Sequence, residues 1–251
     1  LVLKTGGGDV AAAYRIAKLL KASAGRFTVV LAGRVMSAGT LIALAADDII
    51  ATSNGELGPI DPSVPQQREG NGRSEVISCE DVRLYATMCR DWFGLSPRDM
   101  PQALSLLGQA ISPTTQVTAY RAYQYVRRVA AELHRLGRPD ASARRIDRIV
   151  EALVTKYPMH NHGMALPELN ALGLRVRAAT PTQEATINRA GTLNLTDYRW
   201  TIPAKNRGPE IRSIIGMCSR EAEFQIPARP FGRQSRRDDA RNPLGRWCVR
   251  D

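Results

Sequence analysis

Ser37 stands in "RVMSAGTLIALAADD", at the head of an apolar run and directly before Ala38 and Gly39. At the first turn of a helix, a serine hydroxyl meets free backbone N–H groups and the positive end of the helix dipole. Two uses of such a serine stay open. It can cap the helix, a role serine fills frequently. It can instead be a nucleophile, whose attack on a carbonyl creates an oxyanion that the next backbone N–H helps to hold. The small residues after it leave room for a substrate backbone.

Gly6-Gly7-Gly8 interrupts the chain shortly before. This run lacks the lysine of a P-loop and the spacing of a dinucleotide fingerprint, which disfavours phosphate binding. One of its N–H groups, aimed beside Ser37, would supply the second half of an oxyanion hole. A serine nucleophile also needs a base and a group that orients the base. The chain has 3 histidines. His134 lies in an arginine-rich helical segment and is expected to be exposed. His160 and His162 sit in "KYPMHNHGM", a loop from which side chains can reach a cleft, and the sequence does not choose between them. No third cluster of ligands accompanies the pair, so no metal is expected. Asp61, held between Pro59 and Pro62 in "LGPIDPSV", is the candidate orienting carboxylate; its plainer use is a turn aspartate.

These groups need elements to position them. Residues 1–4 read as a buried strand. Residues 9–21 read as an amphipathic helix capped by Asp9, with Val10, Ala13, Ala17 and Leu20 at helical spacing. Residues 27–32 form a second strand, 37–46 a helix without a polar face and hence buried, and 48–52 a third strand. Strand, helix, strand, helix, strand is the order of a parallel α/β layer. Residues 65–73 read as a polar loop. Helices are expected over 80–93, 101–109, 113–136 and 140–157, then a short helix ending at Gly173 and a last strand over 174–177. Beyond Ala178 apolar residues occur singly, and "RQSRRDDARNPLGR" has the composition of a disordered tail. The expected organisation is a domain over 1–178, with a helical extension from about residue 80, and a basic tail of low order over 179–251.

With 251 residues and 43% apolar content the chain can build a sizeable core. No apolar stretch is long enough to span a bilayer, and no signal-peptide pattern opens the sequence. Cys79, Cys89, Cys218 and Cys248 are widely spaced, which speaks against a zinc site or a disulfide framework and fits a reducing, cytoplasmic compartment. A net charge of +11 is compatible with nucleic acid or an anionic membrane surface. Its arginines are spread over helices and tail without interleaved aromatics, so a solvated basic surface is expected and no specific nucleic-acid partner.

Taken together, "LKTGGGDV", "VMSAGTLIALAADDI", "ELGPIDPSV" and "KYPMHNHGMALPELNALGLRV" resemble the serine dehydrogenase proteinase family, ClpP-like serine peptidases of the crotonase superfamily related to signal peptide peptidase A. Gly6 stands where the family has proline, and Met159 where it usually has serine. The resemblance implies a ClpP/crotonase-like α/β fold whose first strand or strands lie outside this sequence. It further implies peptide-bond hydrolysis with Ser37 as nucleophile, His160 as base and Asp61 as its orienting partner. Oxyanion donors would come from Gly7 or Gly8 and from Ala38. No cofactor is implied. The partners it implies are a peptide or protein substrate and further copies of the chain in a homo-oligomer, with peripheral membrane association left open. Rival expectations are a crotonase-type acyl-CoA enzyme and a non-catalytic ClpP-like scaffold or membrane-associated protein.

Overall fold

The computed structural model describes residues 1–67, 74–157 and 159–192, together with the backbone of two later strands. The chain divides into two units, Leu1–Gly216 and Met217–Asp251.

In the first unit β1 (Val2–Thr5), β2 (Thr28–Val35), β3 (Asp48–Ala51) and β7 (Val176–Ala178) lie side by side in that order, all parallel. A two-residue strand, β4 (Glu56–Leu57), pairs with the last residues of β2. The connection α1 (Val10–Ala24) begins as expected: the Asp9 carboxylate accepts the Ala12 N–H at 2.6 Å, and Ala13, Ala17 and Leu20 are buried along one face. α2 (Ala38–Leu44) is buried at every position, as its lack of a polar face requires.

The helical extension follows as α3 (Cys79–Asp91), α4 (Met100–Ala110), α5 (Pro113–Gly137) and α6 (Ala143–Glu151), the last running into a π-helical turn, Ala152–Lys156. α7 (Leu166–Leu172) stops where Gly173 adopts φ 96°, a left-handed conformation natural to glycine. α5 packs on α2, and its Val126, Val129, Ala130 and Leu133 are buried in the same core as α2. Its end comes so close that a Cβ on Gly137 would lie 2.6 Å from the carbonyl oxygens of Leu44 and Ala46.

Three expectations are corrected. His134 is buried, at 4% exposure, because it shares a helical stripe with Ala130, Leu133 and Gly137 that faces the core. The expected loop over 65–73 overlaps an antiparallel hairpin, β5 (Ser63–Gln67) with β6 (Ser74–Ser78); residues 68–73 lie outside the described residues. The low-order tail does not begin at 179, since α8 spans Pro181–Thr192. Its start is a reciprocal cap: Gln183 N–H donates to Thr180 Oγ1 at 3.3 Å, and Thr180 N–H to Gln183 Oε1 at 3.0 Å. In the second unit β8 (Ala222–Gln225) pairs antiparallel with β9 (Arg246–Val249); the rest of the expected tail lies outside the described residues.

Candidate active site

Ser37 owes its position to an irregularity in the sheet. Leu3 pairs with Leu31 but Thr5 with Val35, so β2 carries two extra residues against β1. Such a bulge twists and re-aims a strand end. Met36 N–H is then tied to the Thr5 carbonyl at 3.0 Å, and the chain turns sharply at Ser37, with φ 49° and ψ −113°. Ser37 is the one non-glycine residue with positive φ among the described residues. Holding it there costs on the order of 1–3 kcal/mol, which the surrounding packing must offset. Gly39 lets the turn close, because a Cβ there would lie 2.4 Å from Thr5 Cγ2 and 2.9 Å from Val35 Cγ1. The Ser37 side chain caps nothing. The capping use of this serine is therefore not the one the fold builds.

The glycine run lies against it. Gly7 has φ 114°, and a Cβ on it would come within 3.0 Å of Ser37 Cβ and 3.6 Å of Ala38 N. Gly7 N–H donates to Thr5 Oγ1 at 3.1 Å. Among the described residues, the N–H groups of Gly8 and Ala38 have no hydrogen-bond partner. Of the two glycines expected to hold an oxyanion, Gly8 is thus the one whose donor is free.

A second cluster forms around Asp61. Gly58 N–H donates to the Val35 carbonyl at 2.8 Å, and Thr40 Oγ1 donates to the Gly58 carbonyl at 2.8 Å, so this segment runs beside the start of α2. Leu57 exchanges two backbone hydrogen bonds with Met164, of 3.1 and 2.8 Å, in an antiparallel bridge. Asp61 is four residues past Leu57 and His160 four before Met164, so the antiparallel count sets them opposite each other. His160 Nδ1 lies 3.7 Å from Asp61 Oδ2. Asp61 is 13% exposed and His160 50%. Burial pushes the Asp61 carboxyl above its ordinary pKa; hydrogen bonds from Ser78 and from Glu80 N–H, and the charge of His160, pull partly back.

His162 is engaged elsewhere. Its ring stacks on Tyr157 at 4.6 Å and its Nε2 lies 3.3 Å from Glu168 Oε1. Lys156 Nζ sits 5.2 Å over the Tyr157 ring. The Cys79 thiol is pushed up to about 11 by burial and by the charge of Asp61, so it stays protonated at neutral pH and is a poor nucleophile. Among the described residues no group of three or more His, Cys, Asp and Glu side chains could hold a metal ion.

The predicted residues therefore fall into two groups: Ser37 with Gly7, Gly8 and Ala38, and Asp61 with His160. Among the described residues no hydrogen bond joins Ser37 to His160. Sequence reasoning missed Thr5, which occupies Gly7 N–H, and Ser78, which donates to Asp61. Ser78 was visible as the first residue of "SCED", a serine followed three places later by an acid at a helix start.

Residues 1–72 match the sequence profile of a family described as ClpP-like SDH-type serine proteinase, which bears out the resemblance over that segment. Ser37, Asp61, Gly7, Gly8 and Ala38 lie inside it and His160 outside. Two uncharacterized proteins of Methanocaldococcus jannaschii are similar over 66 residues, MJ0137 at 52% identity and MJ1495 at 44%. Each alignment covers 26% of this chain, and the chain spans only 23% of the length of either relative. No solved structure matches the chain. Among the described residues no helix is long and apolar enough to cross a membrane.

Proposed function

We propose that this chain is a serine-type peptidase that hydrolyses peptide bonds by acyl transfer. The observation that carries this reading is Ser37 itself: strained at the end of a parallel strand, capping nothing, followed by the free N–H of Ala38 and packed against the glycine run through Gly7. Ser37 Oγ attacks the scissile carbonyl while Nε2 of His160 takes its proton. The tetrahedral oxyanion is held by the N–H groups of Ala38 and Gly8, a contribution of about 3 kcal/mol per donor. His160 then hands the proton to the leaving amine, and water releases the acyl group by the reverse sequence. Asp61 lies beside Nδ1, so in this reading Nε2 is the nitrogen left to serve Ser37, and the carboxylate stabilises the imidazolium that forms. The family match over residues 1–72 supports the same chemistry.

The peptide substrate, a crotonase-like arrangement of the whole domain, assembly into a homo-oligomer and a cytoplasmic location belong to the same reading. A fluorophosphonate probe tests it. Wild-type protein is expected to be labelled and Ser37→Ala not; labelling that persists in Ser37→Ala removes Ser37 as nucleophile. A wild-type chain that resists the probe yet forms a stable oligomer would favour the scaffold instead.

A further inference from the structure

The candidate acid is not held by the turn that carries it. Asp61 Oδ2 accepts the Ser78 hydroxyl at 2.9 Å, and Asp61 Oδ1 accepts the Glu80 N–H at 3.4 Å. Both donors come from the junction between β6 and α3. The same Ser78 oxygen caps α3, accepting the N–H groups of Glu80 and Asp81 at 3.1 Å each. That hydroxyl therefore spends its one proton on Asp61 and its lone pairs on the helix, so its direction is fixed. Ser78 is placed in turn by the hairpin, where it pairs with Ser63, two residues after Asp61.

We infer that Ser78 is a positioning residue: it holds the Asp61 carboxylate ionised at the N-terminus of α3 and aims it at His160 Nδ1. The inference rests on the peptidase reading for its catalytic consequence, but the contact itself does not. The carboxylate needs such help because it is nearly buried, and burial disfavours its charged form. A hydroxyl donor and the positive end of a 13-residue helix work the other way. The other ionisable groups facing Asp61 supply little support. On α3, Glu80 repels it, although the Glu80 carboxylate is itself gripped by Arg83 at 2.6 and 2.8 Å. Cys79 is a neutral thiol. From the opposite side, among the described residues, comes His160, half exposed. Removing the Ser78 hydroxyl leaves one lone pair of a nearly buried carboxylate without its donor.

The test reads the acid directly. In the full chain carrying Ser37→Ala, the carboxyl carbon of Asp61 is titrated by NMR with Ser78 intact, with Ser78→Ala, with Ser78→Gly and with Ser78→Thr. Glycine is tolerated at a helix start nearly as well as serine, so it separates the donor from the cap. Both Ala and Gly are expected to raise the Asp61 midpoint by about one pH unit, and Thr to restore it. In the chain that keeps Ser37, probe labelling near neutral pH is expected to slow several-fold with Ala or Gly and to recover with Thr, because Asp61 loses the donor that fixes its direction towards His160. An Asp61 midpoint unmoved by Ser78→Gly overturns the inference. So does a midpoint that moves while labelling keeps its wild-type rate, because the hydroxyl then holds a carboxylate that the reaction does not use. Failure of the peptidase reading shows differently: Ser37→Ala remains labelled, whatever Asp61 does.

Discussion

Ser37 and Ser78 each stand immediately before a helix, and the fold uses them in opposite ways. Ser78 has φ −66° and ψ 132°, the extended conformation of an ordinary cap, and its oxygen accepts two N–H groups of α3. Ser112 and Ser142 cap α5 and α6 in the same manner. Ser37 has φ 49° and caps nothing. The difference comes from what precedes each serine. Ser78 leaves the end of a regular hairpin, whereas Ser37 leaves a bulged strand pinned by Met36, with Gly7 against it and Gly39 packed close on Thr5 and Val35. A hydroxyl that satisfies a helix end stabilises the fold. A hydroxyl withheld from that task stays available for chemistry at the expense of stability.

Four experiments can break that contrast. The largest effect is expected from Ser37→Gly. It should lower probe labelling by at least roughly a thousandfold, since the nucleophile is gone. The same change should raise stability by about 1 kcal/mol, because glycine adopts this conformation without strain. A urea titration in which Ser37→Gly is no more stable than wild type removes the strain argument.

The second concerns His134, which shows what the fold does with a histidine it does not use. Burial first, then the charges of Arg138 and Arg145, depress its pKa to about 4. The folded chain thus keeps the ring neutral while the unfolded chain protonates it near its ordinary value. The stabilisation is complete above about pH 6.5 and is lost as the pH falls from there towards 4, by about 3 kcal/mol in all. Urea midpoints across that interval should fall with acid, and His134→Gln should flatten the slope. A slope unchanged by the substitution refutes the assignment.

Third, Gly39→Ala is expected to cost about 2 kcal/mol, because its Cβ overlaps Thr5 and Val35 beneath the Ser37 turn. Probe labelling should fall along with the thermal midpoint. Normal labelling in a destabilised Gly39→Ala chain would show that the turn does not depend on that contact. The smallest effect is the control: Ser142→Ala should lose about 1 kcal/mol of stability and leave labelling unchanged, as expected of a serine that only caps.

Much of this was readable from residue order. Apolar periodicity located β1, α1, β2, α2 and β3, because each must bury one face or all of itself. Strong local signals set the ends, such as Asp9 before α1 and Gly173 after α7. Weak or split signals were lost. β4 has two residues, too few to show a period, yet it carries the bridge from Leu57 to Met164 that sets Asp61 against His160. His134 reads as polar in any window and becomes core only because α5 turns that stripe towards α2.

By itself, then, the sequence determined that a small-residue serine turn heads a buried helix in a parallel α/β layer, with a glycine run before it and an Asp–Pro turn after it. Side-chain type and local spacing decide such features. Only the tertiary structure decided that Ser37 does not cap α2, that Gly7 N–H is spent on Thr5 while Gly8 N–H is free, and that His160 rather than His162 faces Asp61. Each of those depends on strand register and on partners distant in the chain, which residue order does not encode locally.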